Sequence, residues 1–267
     1  MPELPEVEVT RRSLVQAITG ARIEAVTLGK PLRWPLGCAP QTLVGQQVMG
    51  LRRRGKYLLA DTSRGVLLVH LGMSGSLRFS QGLPAAGVHD HFDMLTSQGT
   101  LRLHDPRRFG AVLWTNDAAR HPLLAHLGPE PLSDAFDGDY LFELSRGRKA
   151  PVKTFLMDQA VVVGVGNIYA AESLFRAGIS PLRAAGKVSR ERYGALADAV
   201  KAILAYAITR GGTTLRDFLS PDGAPGYFEQ ELSAYGRGGE PCPRCGRPMR
   251  QASIGQRATV WCGHCQR

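Results

Sequence analysis

The chain has 267 residues, 33 of them Lys or Arg against 23 Asp or Glu, for a formal net charge of +10. An apolar share of 43% permits genuine cores, the length suits two domains plus a small module, and the cationic excess favours a polyanionic partner over an acidic small molecule. The start MPELPEVEVTRR lacks the basic segment and apolar core of an export signal, and no run approaches the roughly 20 apolar residues that span a bilayer, so a soluble intracellular protein is expected.

Residues 4–19 carry Pro5 at a first helical turn, Val7, Leu14 and Ile18 at helical spacing, and Gly20 as a stop, which predicts a helix almost at the terminus. From about 21 to 115 short apolar runs are broken by Gly and Pro: Tyr57 to Leu59, Val66 to Leu71, Leu101 and Leu103 in alternation, Ala111 to Trp114. That texture predicts a β-rich domain built as a sandwich. Pro122, Pro129 and Pro131 mark a boundary, after which helical periodicity dominates. Its clearest case runs from a Ser189 cap through Leu196, Val200, Leu204 and Ile208 to Arg210-Gly211. A glycine-rich loop follows, with a short helical or turn segment.

The last 26 residues hold four of the five cysteines, as Cys242-x-x-Cys245 and Cys262-x-x-Cys265 with sixteen residues between the pairs. Each pair can aim two thiolates at one tetrahedral centre, and the interval suits a β-hairpin, so the spacing predicts a ribbon around one structural Zn2+. Arg247, Arg250 and Arg257 give it a basic face suited to phosphate or minor-groove contact. Cys38 is left as a free thiol.

Three further patterns carry chemistry. Removal of Met1 would expose Pro2 as a secondary amine beside Glu3. An α-amino group titrates near about 8, against about 10.4 for lysine, so part of it is nucleophilic at neutral pH. A secondary amine attacking a sugar C1′ must form a cationic iminium, an electron sink that acidifies the C2′ proton. His89, His91 and Asp93 alternate, so a regular strand would put them on one face, a geometry that suits a metal. Gly-Val-Gly-Asn at 164–167 opens a helix but lacks the third glycine and parallel-sheet context of a dinucleotide fingerprint.

The segments PELPEVE, RRRGKYLL (52–59), HLGMSGSLRF (70–79), HDHFD (89–93), DPRRFG (105–110), VVVGVGNIYAAESLF (161–175), GGTTLRDF (211–218) and GQRATVWC (255–262) resemble, in order, the formamidopyrimidine-DNA glycosylase family. The start is closer to this branch than to the endonuclease VIII branch, which typically begins PEGPE. The resemblance implies an α+β multidomain protein: a catalytic β-sandwich domain with an N-terminal helix over 1–130, a helical domain with a helix–two-turns–helix element over 131–236, and a zinc ribbon over 237–267. DNA is expected to cross between the domains.

Residue by residue, it implies Pro2 as nucleophile, Glu3 as acid, and Lys56 and Arg257 at phosphate beside the lesion. A base acted on in duplex DNA must be extruded, so something must fill the vacated stack. Met73, Arg107 and Phe109 match the family's wedge, while His70, His89, Lys153 and Asn167 match its other DNA-binding positions. The His89 motif works there without a metal; Val88 stands where proline is common. Thr213, Thr214, Leu215, Arg216 and Tyr227 fall in the lesion-capping loop.

The implied activity is excision of 8-oxoguanine and formamidopyrimidines from double-stranded DNA, with strand cleavage by β,δ-elimination, by a monomer in the bacterial cytoplasm at the nucleoid. The rivals are an oxidised-pyrimidine glycosylase of the endonuclease VIII branch, a non-catalytic zinc DNA-binding protein, and a basic RNA-binding or ribosome-associated zinc protein.

Overall fold

A computed structural model describes residues 1–213 and 228–267. The chain divides into two compact units, Met1–Ala125 with residues 210–213, and His126–Thr209 with Phe228–Arg267. Among the described residues no helix is long and apolar enough to cross a membrane.

The first unit starts with α1 (Leu4–Ile18), which has Pro5 in its first turn, buries Leu4, Val7, Leu14 and Ile18, and ends at Thr19 before Gly20. Eight strands follow: β1 (Ile23–Leu28), β2 (Val48–Arg54), β3 (Tyr57–Thr62), β4 (Gly65–His70), β5 (Ser76–Ser80), β6 (Asp90–Thr96), β7 (Gly99–His104) and β8 (Ala111–Thr115). They form two four-stranded sheets, β1-β6-β7-β5 and β2-β3-β4-β8. Every pairing is antiparallel. Their inner faces share one core with α1, in which Val7, Leu14 and Ile18 join Leu58, Leu67 and Val69 of one sheet and Phe92, Met94, Leu101 and Leu103 of the other. Burying a leucine or phenylalanine side chain contributes roughly 1.5–3 kcal/mol, so this apolar set is what holds the sheets together. A short α2 (Pro122–Ala125) closes the unit.

In the second unit α3 (Gly138–Ser145) is capped by Asp137, whose side chain accepts the Tyr140 N–H at 2.7 Å. Then come α4 (Val152–Met157), α5 (Asn167–Arg176) and α6 (Arg190–Thr209). The expected i, i+4 row of Leu196, Val200, Leu204 and Ile208 lies buried along α6. β9 (Arg250–Ile254) and β10 (Arg257–Trp261) pair antiparallel. Gly255 and Gln256 both have positive φ, as a two-residue type I′ turn demands. The ribbon core joins the helices directly: Phe175 of α5 packs with Cys242, Met249, Val260 and Cys262.

Candidate active site and nucleic-acid interface

In the first unit the site is assembled on the start of α1. Glu3 is the N-cap, and its backbone N–H donates to Glu6 Oε2 at 2.8 Å. Glu6 is fully buried, and its Oε1 accepts both the N–H and the hydroxyl of Thr213, at 2.9 and 3.0 Å. The first of the site residues expected in the lesion loop is thereby tied to the N-terminus; Thr214, Leu215, Arg216 and Tyr227 lie outside the described residues.

Pro2 and Glu3 are buried, and so is Lys56, which is only 7% exposed although it sits in the tight connection between β2 and β3. The amine of Met1, one residue before Pro2, lies within electrostatic reach of Glu3, Glu6, Lys56 and Arg107. Burial lowers its pKa below the usual range; the two carboxylates pull it up, and the two cations add to the lowering. Glu3, Glu6, Lys56 and Arg107 are thus grouped around the Met1 amine, next to the buried Pro2.

Two turns, 71–75 and 105–110, come together beside it. A Cβ on Gly72, whose φ is +65°, would lie 2.4 Å from the Gly110 nitrogen and the Phe109 carbonyl carbon, so only glycine permits the approach. Asp105, wholly buried, locks the pair. Its Oδ1 accepts the Ser74 hydroxyl at 2.7 Å and the Arg107 N–H at 3.3 Å, and its Oδ2 accepts the Gly110 N–H at 2.7 Å. Arg108 is held in the left-handed region at φ 56°. Outward from this lock stand Met73, partly buried, and Phe109, 45% exposed, with the Arg107 guanidinium 5.6 Å from its ring centre.

His70 ends β4, where its Nδ1 accepts the Gly72 N–H at 3.0 Å. Burial, then Lys56 and Arg33, push its pKa down to about 4 against the pull of Asp105. The ring is therefore neutral near pH 7, and with Nδ1 accepting, Nε2 carries a proton that can be donated to phosphate.

His89, His91 and Asp93 do not converge. A bulge between Asp90 and Phe92 breaks the alternation, so His91 and Phe92 are both buried. His91 Nε2 lies 3.1 Å from the Asp105 carbonyl, and Asp93 grips Arg102 at 2.7 and 2.5 Å. His89 stays exposed, edge-on to His104 at 5.8 Å, and its carbonyl accepts the Asp105 N–H at 2.8 Å.

In the second unit the Gly-Val-Gly-Asn turn is pinned by Gln159, which accepts the Gly164 N–H at 2.9 Å and donates to the Val165 carbonyl at 3.0 Å. It delivers Asn167 to the first position of α5, where Nδ2 donates to the Ala258 carbonyl at 3.2 Å. Lys153, 1% exposed, donates to the same carbonyl at 3.2 Å and to Thr259 Oγ1 at 2.7 Å. Lys153, Asn167 and the neighbouring exposed Arg257 are thus gathered at the start of β10.

The four ribbon cysteines have sulfurs within 4.8 Å of one another. Cys242 and Cys265 Sγ are 4.0 Å apart, Cys245 and Cys262 Sγ 3.6 Å. Tetrahedral zinc with bonds of about 2.3 Å needs sulfurs about 3.8 Å apart, so the set fits one structural Zn2+. The N–H groups of Arg244 and Cys265 point at Cys242 and Cys262 Sγ, both at 3.4 Å, and support thiolate charge.

Sequence reasoning missed Glu6, Asp105 and Gln159. Glu6 had a local signal, the three-residue spacing of a capping box after Glu3, and Asp105 the Asp-Pro start of a turn; Gln159 had none.

Three family models match: the formamidopyrimidine-DNA glycosylase N-terminal domain over residues 1–112, its H2TH domain over 127–219, and the zinc finger found in FPG and IleRS over 239–267. The chain is 66% identical over 270 residues to formamidopyrimidine-DNA glycosylase of Stenotrophomonas maltophilia strain K279a, covering all of both proteins. It is 65% identical over 271 residues to that of Xanthomonas campestris pv. campestris strain B100, again over all of both. Among solved structures, the MutM (FPG) protein from Thermus thermophilus superposes with a TM-score of 0.90 at 39% identity, over 99% of this chain and 98% of that one. The Lactococcus lactis FPG mutant G226P in complex with a Fapy-dG containing DNA gives 0.92 at 33%, over all of both chains.

Proposed function

The chain belongs to the formamidopyrimidine-DNA glycosylase family, and from that premise we propose that it excises 8-oxoguanine and formamidopyrimidines from double-stranded DNA in base excision repair and then cuts the strand as a lyase. Removal of Met1 frees the Pro2 nitrogen. It attacks C1′ of the damaged nucleotide, the bond from C1′ to the base breaks, and the base departs with a proton from Glu3. The nitrogen sheds its proton, the C1′–O4′ bond opens with O4′ taking up a proton, and the iminium so formed withdraws electrons; C2′ loses a proton, the 3′ phosphate leaves in β-elimination, and a second elimination releases the 5′ phosphate. Lys56 and His70 bind phosphate beside the lesion. Met73, Arg107 and Phe109 fill the stack and face the orphaned base.

Lys153, Asn167 and Arg257 hold the backbone from the helical unit, and His89 adds a contact beside the wedge. Thr213 starts the lesion-capping loop, with Thr214, Leu215, Arg216 and Tyr227 in the rest of it. Catalysis is assigned to the sandwich, 1–130, and DNA binding to 131–236 and the ribbon, 237–267. The site needs one copy of the chain, and its substrate puts it in the cytoplasm at the nucleoid.

The observation that carries this reading is the grouping of the buried Pro2, Glu3, Glu6 and Lys56 with Arg107 around the Met1 amine, whose place the Pro2 nitrogen takes as chain terminus once Met1 is removed. Borohydride reduction on a duplex with 8-oxoguanine opposite cytosine tests it. A covalent adduct at Pro2 is expected; DNA binding with no adduct would overturn the nucleophile assignment.

A further inference from the structure

We propose that His104 is a positioning residue for DNA binding: it holds the ring of His89 edge-on, so that an exposed imidazole is presented to phosphate in a fixed orientation. The inference rests on the reading of His89 as a DNA contact, and it gives a role to a side chain that reading does not use.

The backbone at His89 is fixed without help from His104. Its carbonyl accepts the Asp105 N–H at 2.8 Å, and the N–H of the next residue, Asp90, donates to the Gly87 carbonyl at 3.1 Å. The side chain is held by neither bond. It is exposed, and its ring nitrogens have no hydrogen-bond partner among the described residues. Both nitrogens are thereby left for a ligand, but an exposed ring exchanges between rotamers, and a contact made from it has that freedom to lose.

His104 restricts that freedom. It is the last residue of β7, opposite Asp90 in the ladder, and its Nδ1 lies 2.8 Å from Asp90 Oδ1. Burial pushes the Asp90 carboxyl up, but the Gly87 N–H, His104 and Arg102 together hold it below the usual range. Asp90 is therefore a carboxylate, which can only accept, and His104 Nδ1 carries the proton. Asp90 is itself gripped, since its Oδ2 accepts the Gly87 N–H at 2.7 Å and lies 3.4 Å from the guanidinium of the buried Arg102. The succession Arg102, Asp90, His104 sets the plane of the His104 ring. The centre of that ring lies 5.8 Å from the centre of His89, with the planes at 88°. Edge-to-face contact at this spacing is a favoured arrangement of two rings, worth roughly twofold to tenfold in an equilibrium.

The test is a double-mutant cycle on the full-length protein. Binding to a duplex with tetrahydrofuran in place of the damaged nucleotide is read by fluorescence anisotropy. His104→Gln keeps a donor for Asp90 and removes the ring. His89→Ala and His104→Gln are each expected to weaken binding about threefold, and the double variant no more than His89→Ala alone. The ring-proton resonances of His89 are expected to shift in His104→Gln, which a residue that only braced Asp90 would not cause. Unchanged binding by His104→Gln beside a weakened His89→Ala, additive losses in the double variant, or unmoved His89 resonances overturn the positioning role. Unchanged binding by His89→Ala overturns the DNA contact at His89 and this inference with it.

Discussion

In the sandwich unit the residues proposed to meet DNA are held from behind by buried carboxylates: Asp105 takes three donors from the turns 71–75 and 105–110, and Glu6 ties the start of α1 to Thr213. In the helical unit the shared anchor is a single neutral carbonyl, that of Ala258, which receives both Lys153 and Asn167. The contrast follows from what each side must present. A wedge has to keep an apolar ring and a thioether exposed in water, against their preference for burial, and charge-assisted hydrogen bonds are strong enough to hold the turns that carry them. A backbone-binding surface has only to gather donors, and one carbonyl on a strand does that.

The largest effect separates chemistry from this scaffolding. A chain that retains Met1 is expected to bind lesion DNA with unchanged affinity, by gel shift, and to lose borohydride trapping by several orders of magnitude. If it still traps, the amine at Pro2 is not the nucleophile. Next, Cys262→Ser should release zinc and cost DNA affinity at least about tenfold, because a structural zinc site carries on the order of 10 kcal/mol of folding free energy. The hydrogen-exchange protection of β2, β3 and β4 should persist; its collapse would mean that the two units do not fold separately.

The anchors themselves come third. Asp105→Asn is expected to cost about 3 kcal/mol and Lys153→Met about 1.5 kcal/mol in urea unfolding, since the first disturbs three donors that lock two turns and the second loses two acceptors on one strand. Equal losses would erase the distinction between the two plans. The effect confined to the narrowest conditions is in pH. The folded pKa of His70 is depressed to about 4 from 6.5, so the unfolded chain binds the extra proton first as pH falls. Its contribution to stability is present above about pH 6.5 and is lost on descent toward pH 4, at up to about 1.4 kcal/mol per pH unit. His70→Gln should flatten that part of the profile.

The elements that periodicity controls were legible beforehand. The helix at 4–18, the row along α6, the strands at 57–62 and 66–70, and the four ribbon cysteines follow from spacings within one segment. What was not legible depends on contacts between segments. Lys56 reads as reaching phosphate from a tight turn, and nothing in its own segment signals that it is buried within electrostatic reach of the Met1 amine. The His89–Asp93 alternation suggested one face, and a bulge that exists only in the paired sheet turned it into two. Asp105 advertised a turn but not the Ser74 hydroxyl, 31 positions away, that makes it a lock.

The approach at Gly72 has a consequence for how this protein can vary. Because a single added carbon there would strike the backbone of Phe109 and Gly110, the turns bearing Met73, Arg107 and Phe109 are inherited as one part. Lengthening either would open the seam and separate the thioether from the ring. A Gly72→Ala change should therefore disturb both turns at once, whereas exchanges of the side chains at their tips leave the seam closed.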